Sequence, residues 1–373
     1  MMIALRSFSL FSISFLLLNH CTSLSIHKID FDKRIKQISE KHILDSSLEV
    51  NEIIINQSDQ GLIISGMTTN DEYFNDIKSF SDSLSFVNDV LLLPDSALKD
   101  SIFGIINVSV APIRDRSSHT AQMVDQAIMG NLVKILFKEG DWFLCQTHYD
   151  YVGWITKSSV YHCTTDYASS WKKKAKHRVK KLNSVIHLEP DITSIPVSDA
   201  VLNNLLIHSR DLDSWAKVIL PDGRVGFINK QEIELVREYQ DYINQESMLI
   251  SNAISMIGIP YLWGGNSSKG NDCSGFTQTV FMASGIQLPR DARQQALVGK
   301  NINYGQFKKG DLLFFGNEDR ITHVGISIGE EEFIHQGSKL EGKVDMHSLN
   351  PDSPIFNSYR KETFLFAKRV INR

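Results

Sequence analysis

Apolar positions recur at two periods along this chain, and the period switches where the architecture is expected to change. Near the start the runs are short. Ile53-Ile54-Ile55 and Leu62-Ile63-Ile64 flank Asp59-Gln60-Gly61, which predicts a strand pair around a turn. Residues 70 to 86 carry apolar positions at helical spacing, and Val87 to Leu93 read as a returning strand. Residues 22–100 are therefore expected to form a small α+β module, and they hold no chemical motif.

From Ile102 to about Tyr167 the texture is all-β. Ile105 to Val110 alternates, Pro112 is expected to break the strand, and short apolar runs follow between turn residues. A second all-β stretch runs from about Leu182 to Val236. The two share a fingerprint. Trp142 precedes Gly153-Trp154-Ile155 and Lys157, and Trp215 precedes Gly226-Phe227-Ile228 and Lys230. Glycine follows tryptophan by 11 residues in both, and the copies lie 73 residues apart, so this is an internal repeat. A Trp followed by Gly-[Trp/Phe]-Ile resembles the bacterial SH3 (SH3b) domain, a small barrel often attached to wall hydrolases. Both tryptophans, Trp215 in particular, are expected in a barrel core. The expected domains are 101–168 for the first barrel and 169–237 for a linker and the second. Trp171 to Lys181, rich in lysine, reads as a solvated linker or short helix.

The helical period then returns. Glu232 to Ile257 is expected to be a helix leading into a last domain, 238–373. A glycine-rich polar loop, Tyr261 to Asp272, ends at a second helical run, Phe276 to Ala283. Leu288-Pro289-Arg290-Asp291 makes a break. Leu312 to Phe315, Val324 to Ile328, Phe333-Ile334 and Phe364 to Ala367 are expected to build an antiparallel sheet.

Composition changes this picture little. The chain has 373 residues, 42% of them hydrophobic, enough for several packed cores. A net charge of −4 advertises no basic surface, so nucleic acid is not an expected partner. Four cysteines are too few for a disulfide-built fold, and Cys145 and Cys163 are read as buried thiols rather than a pair. The first residues do change it. Arg6 followed by the apolar run Phe8 to Leu18 is too short to span a membrane and suits a signal peptide over 1–21. Leu18-Asn19-His20-Cys21 resembles a lipoprotein cleavage site, except that His20 replaces the usual small residue. Lipidation of Cys21, with membrane anchoring, and plain cleavage both stay open. Either way an exported protein of the periplasm or cell envelope is expected, and a monomer.

The candidate chemistry lies in the last domain. Cys273 sits at an expected helix N-terminus, where free N–H groups and the helix dipole favour an anion and are expected to lower the thiol pKa. A thiol nucleophile needs a base. His323 and His335 flank an expected hairpin turn at Gly329-Glu330-Glu331, an even number of residues apart and so on one face. His323 is the expected base and His335 its orienting partner. The other histidines, His208 and His347 among them, lack such company and are read as structural.

At these residues the chain resembles the NlpC/P60 cysteine peptidases. The matching segments are Tyr261 to Gly265, Asp272 to Gly275, Gly310 to Phe315, His323 to Gly329 and His335. The resemblance implies a papain-like fold and hydrolysis of peptides in bacterial cell walls, with no metal or cofactor. The fold class expected is multidomain α+β: a papain-like NlpC/P60 catalytic domain preceded by two small SH3b-like β-barrels and the N-terminal α+β module. The resemblance also assigns Tyr261 to the oxyanion hole and Asp272 and Ser274 to substrate binding.

Two barrels before such a domain resemble a narrower group, the YkfC-like γ-D-glutamyl-L-diamino acid endopeptidases. These remove L-Ala-γ-D-Glu from peptidoglycan stem peptides with a free N-terminal alanine. In that group the first barrel closes the groove and helps to hold the amine. Tyr151 matches its tyrosine, and Gln122 stands where an acidic residue is usual. Ala292 stands where serine often follows Pro-Arg-Asp. The function expected is thus cleavage of the γ-D-Glu–diamino acid bond by a Cys-His-His mechanism. The alternatives are an N-acetylmuramoyl-L-alanine amidase or acyltransferase of the same fold, and a non-catalytic wall-binding protein.

Overall fold

The structure, a computed structural model, describes residues 30–58, 61–236, 245–337 and 341–371. The expected signal segment and Cys21 lie outside them, as do Asp59 and Gln60 of the first expected turn. The chain divides into two compact units, Met1–Ala97 and Leu98–Arg373.

In the first unit the expected strand pair forms, with Asn51–Ser58 antiparallel to Gly61–Thr68. The helix Asp71–Ser83 starts on Asn70, whose side chain accepts the Tyr73 N–H. It carries the chain back so that Val87–Leu92 lies parallel to Gly61–Thr68. Tyr73 and Ile77 bury against Ile55, Ile64 and Val90. A further helix over 30–42, which the apolar pattern did not predict, adds Ile35 and Ile38 to this core.

In the second unit the internal repeat is a repeat of topology. Each copy is a seven-stranded sheet. A hairpin comes first, Val110–Arg114 with Met123–Ile128, and then Asn183–His187 with Pro196–Val201. A three-strand meander follows, Leu132–Glu139, Trp142–Thr147 and Val152–Thr156, and in the second copy Leu205–Leu212, Trp215–Ile219 and Val225–Asn229. The register repeats as well: Trp142 faces Thr156, and Trp215 faces Asn229. The shared glycine has one physical reason in both. A Cβ on Gly153 would strike Ile113 and the Arg114 carbonyl, and one on Gly226 would strike Ile186 and the His187 carbonyl.

Three expectations need correction here. Pro112 lies inside a strand, opposite Gln126, because its strand has little pairing on the other side. The break falls instead at Asn107 to Ser109. Trp142 is buried as expected, but Trp215 is only half-buried, its ring edge-on to His187. The lysine-rich stretch starts as the short helix it was expected to allow, the end of Thr165–Lys174 with Lys172 to Lys174 exposed, and continues into the strand His177–Val179; Trp171 is buried and donates its indole N–H to the Gly130 carbonyl at 2.8 Å. The helix expected over Glu232 to Ile257 begins instead as a strand, Ile233–Leu235, that pairs with His177–Val179 and completes the second sheet. Residues 237–244 of that expected helix lie outside the described residues, and Gln245–Ser255 is helical as expected. Cys145 and Cys163 are free and buried.

The last part of the unit packs the helix Cys273–Ala283 between Gln245–Ser255 and a six-stranded antiparallel sheet. Phe276, Val280 and Phe281 meet Leu249 and Ala253 on one side and Leu312, Phe314, Val324 and Ile326 on the other. The four expected strand regions are present, joined at the two edges by Lys300–Ile302 and Val344–Ser348.

Candidate active site

The position of the candidate nucleophile is built by its cap. Asp272 is extended, with φ −89° and ψ −176°, and accepts the Gly275 N–H at 2.8 Å, which starts the helix at Cys273. Gly275 permits the glycine-rich loop to cross the helix, since a Cβ there would run into the Gly265 carbonyl. The thiol receives hydrogen bonds from the N–H groups of Val324 and Ser274.

His323 and His335 are adjacent, as the alternation predicted. Ile326 pairs with Ile334, so the strands Ile321–Gly329 and Glu332–Gln336 set the two rings diagonally. Gly325 leaves the space, because a Cβ there would press on the His335 side chain and on Phe333. His323 Nε2 and His335 Nδ1 are 2.8 Å apart. The chain of rings continues one strand further: His335 Nε2 is 2.9 Å from His347 Nδ1. His347, read above as lacking such company, is the third ring of this hydrogen-bonded row. The missed signal was a step of 12 residues, repeated from 323 to 335 to 347, which steps one face across three antiparallel strands.

With Nε2 engaged by His335, Nδ1 of His323 is the nitrogen left for a thiol proton. Burial holds His323 and His335 well below the ordinary 6.5, and the cation of Arg360 pushes in the same direction. Arg360, on the helix Ser358–Thr363, is itself buried, its guanidinium carbon 5.6 Å above the Phe315 ring. The thiol differs from expectation. Burial pushes Cys273 up to about 12, and the Asp272 carboxylate adds to the rise; the two N–H groups and Arg290 only partly oppose it. The sequence reading counted the helix N-terminus but neither the enclosure of the sulfur nor the charge on its own cap residue. The resting pair is therefore neutral thiol and neutral imidazole. Burial also raises the Tyr261 hydroxyl, with Cys273 and Asp272 adding to the effect, so it stays protonated as a donor near the sulfur.

An acid limb in kcat/KM is consequently expected below pH ~6.5, the ordinary imidazole value. The sign is the same for stability. Imidazoles that resist protonation in the fold stabilise it fully above that value, and the contribution is lost as pH falls toward the folded pKa. An acid limb centred above 6.5 in a pH–rate profile would contradict the buried neutral base.

The sulfur faces a groove of about 970 Å³. Tyr261, Asp272 and Ser274 line it from the catalytic domain, and Gln122, Val124 and Tyr151 line it from the first barrel. Tyr151 is buried, and its phenol is pushed up by burial and by the Asp291 carboxylate. Asp291 lies in the same groove and was read above only as part of a break. Asn317 to Arg320 and the start of the strand Ile321–Gly329 line it as well.

A buried ionic cluster fixes the barrel to this groove. Arg290 is 1% exposed. Its Nε donates to Asp125 of the barrel at 2.5 Å, and its Nη2 and Nη1 donate to the Asp272 carboxylate at 2.7 and 3.0 Å. Nη1 also reaches Ser274 Oγ at 3.0 Å. Asp125 accepts further from the Tyr149 hydroxyl at 2.5 Å and from Asn266 at 3.3 Å. Burial pushes Asp125 up against the opposing pull of Arg290, the Tyr149 hydroxyl and the Gln126 N–H, and the acidic pair Asp272 and Asp125 raises Arg290 well above its usual value. Gln126 accepts the Asn266 N–H at 2.9 Å. Sequence reasoning missed Asp125, Tyr149 and Arg290. A lone acid in a barrel strand has no visible partner until the fold brings residue 290 to it.

Comparison with known proteins agrees with this geometry. Residues 258–365 match the NlpC/P60 family, and residues 113–160 match the bacterial dipeptidyl-peptidase Sh3 domain. A γ-D-glutamyl-L-lysine dipeptidyl-peptidase of Bacillus cereus is 28% identical over 60% of this chain and 70% of its own length. The murein DD-endopeptidase MepS/murein LD-carboxypeptidase of Escherichia coli K12 is 32% identical over 47% of this chain and 91% of its own. The crystal structure of an NlpC/P60 family protein from Bacillus cereus superposes with a TM-score of 0.63 at 23% identity, covering 72% of this chain and 100% of that one, which is a likeness of fold. With its cysteine on the capped helix and its histidines on the facing sheet, behind a dipeptidyl-peptidase SH3 domain, the chain belongs to the NlpC/P60 family of cysteine peptidases.

Proposed function

We propose that this peptidase cleaves the bond between γ-D-glutamate and a diamino acid in peptidoglycan stem peptides whose N-terminal L-alanine is free. The observation that carries the reading is the barrel wall: Gln122, Val124 and Tyr151 line the same groove as Cys273. A groove walled there suits a substrate that ends there. The relative named for γ-D-glutamyl-L-lysine dipeptides supports the same bond.

In this reading His323 Nδ1 takes the thiol proton as sulfur attacks the γ-carbonyl carbon. Tyr261 and the Cys273 N–H, free of an intrahelical partner at the helix start, donate to the oxyanion. Collapse gives a thioester and releases the diamino acid amine, which carries the proton away from His323. Water, deprotonated by the same nitrogen, then frees the dipeptide. His335 keeps the His323 tautomer by accepting its Nε2–H. The substrate amine, cationic near neutral pH, meets Tyr151, Gln122 and the carboxylates of Asp291 and Asp272. Export through the expected signal segment would place the enzyme where such peptides arise, and fractionation of the tagged full chain tests that.

The test is the free tripeptide L-Ala-γ-D-Glu-diamino acid against the same peptide acylated at its amine, with products identified by mass spectrometry. Acylation should lower kcat/KM by about tenfold or more for each charge-assisted hydrogen bond lost. Tyr151→Phe should raise KM for the free peptide, and Gln122→Glu should lower it. Equal turnover of the two peptides would leave a general wall endopeptidase.

A further inference from the structure

The histidine relay does not stop at His347. Its far end meets a carboxylate: the ligand atoms of His335, His347 and Glu341 all lie within 4.8 Å of one another. His335 is buried and the other two are half-buried. Glu341 reaches this place over Gly337, where any side chain would overlap its carboxylate. Asn357 donates to Glu341 Oε1 at 3.4 Å, which fixes the side chain from behind. Neither His347 nor Glu341 lines the groove.

We propose that His335, His347 and Glu341 form a site of two histidines and one carboxylate for a divalent transition-metal ion of the zinc class, and that filling it switches the hydrolase off. Two imidazoles and one carboxylate are the donor set that zinc takes with a fourth, open position. The fit is close. Two imidazole nitrogens on one tetrahedral zinc stand about 3.3 Å apart, against 2.9 Å here for His335 Nε2 and His347 Nδ1. The half-buried Glu341 side chain supplies the larger movement. The nearby cation is Arg360, whose charge acts on His335, and Glu341 acts on Arg360 in the opposite sense.

Inhibition follows from proton positions, and this step rests on the catalytic roles given above. In the working relay His323 carries its proton on Nε2 and donates it to His335 Nδ1, which leaves Nδ1 of His323 free to accept from the thiol. His335 in turn holds its proton on Nε2, toward His347. A metal on His335 Nε2 displaces that proton, and a neutral metal-bound imidazole must then carry its proton on Nδ1. That proton points at His323 Nε2, which becomes the acceptor. His323 then holds its own proton on Nδ1, and no lone pair faces the thiol. Each ring stays neutral and no net proton is released. The ion acts as an inhibitor read out through the tautomer.

The experiment uses the full chain. Cys273→Ala removes the competing sulfur ligand, and calorimetric titration of this variant with zinc chloride should show one ion per chain. Cobalt(II) in the same variant should give the visible bands of a four-coordinate site without a sulfur charge-transfer band. Adding Glu341→Gln should weaken zinc binding by about tenfold or more. In the wild type, zinc should inhibit hydrolysis and a chelator should restore it. Glu341→Gln alone should keep basal turnover and lose most of the zinc sensitivity. Absence of zinc binding to Cys273→Ala would overturn the site whatever the substrate proves to be. Undiminished zinc inhibition of Glu341→Gln would overturn it too, and would place the ion on Cys273.

Discussion

Arg290→Ala is expected to lower the stability of the wild-type fold by about 3–5 kcal/mol, the loss typical of breaking a buried ion pair from one side. The large effect comes from what remains. Asp125 and Asp272 would lose the guanidinium that neutralises both, and Asp125 is fully enclosed between barrel and catalytic domain. An exposed pair such as Arg293 with Asp291, with side chains 50% and 28% accessible, contributes far less, about 0–1 kcal/mol. The variant also has a pH signature. Unpaired buried carboxylates have raised pKa values in the fold, so their stability is fully present below the unfolded value of ~3.9 and is lost as pH rises through the folded value. The deficit should therefore be smaller at pH 5 than at pH 7.5. Urea titration of the full chain, followed by tryptophan fluorescence, reads this directly. All five tryptophans lie beyond Leu98, so the signal belongs to the unit that contains Arg290. A deficit below about 1 kcal/mol at neutral pH would mean that the cluster behaves like a surface pair.

That cluster also marks the limit of sequence reading for this chain. Local periodicity reports which face of an element is apolar, and here it placed the nucleophile helix, the facing strands and the His323–His335 pair. It also found the barrel repeat, because Trp142 and Trp215, Gly153 and Gly226 recur at one spacing and the register follows. What it missed depends on partners distant in sequence. Asp125 and Arg290 are 165 residues apart, and neither has a local reason to be buried. His347 was within reach, since its strand repeats the 12-residue step, but a hairpin reading stops after two strands. The strand Ile233–Leu235 reads in the sequence as the start of a helix because three residues show no period, and only pairing with His177–Val179 decides. The thiol was misjudged for a different reason. Helix position favours an anion, but burial and the Asp272 charge oppose it, and burial is a property of the assembled groove.

The four residues of the relay should fall into a graded order when replaced singly by alanine. Cys273→Ala and His323→Ala should each lower kcat by on the order of 10⁴-fold or more. The double variant should be little worse than either, because nucleophile and base work as one unit. His335→Ala should cost less, since it removes an acceptor that holds a tautomer and leaves the base in place. Its 2.8 Å contact to His323 Nε2 is inside the buried sheet face, so a water that replaced the ring would restore part of the effect. His347 acts one contact further away, 2.9 Å from His335 Nε2, and is half-buried, so His347→Ala should be milder still. A merely structural set of rings would not show this order: the loss would follow burial, and melting temperatures would fall together with kcat. Measuring kcat and thermal melting for all four variants separates the two. If His347→Ala inactivated the enzyme as fully as His323→Ala while His335→Ala spared it, the direction of the relay would be wrong, and the proton would have to leave His323 by another route.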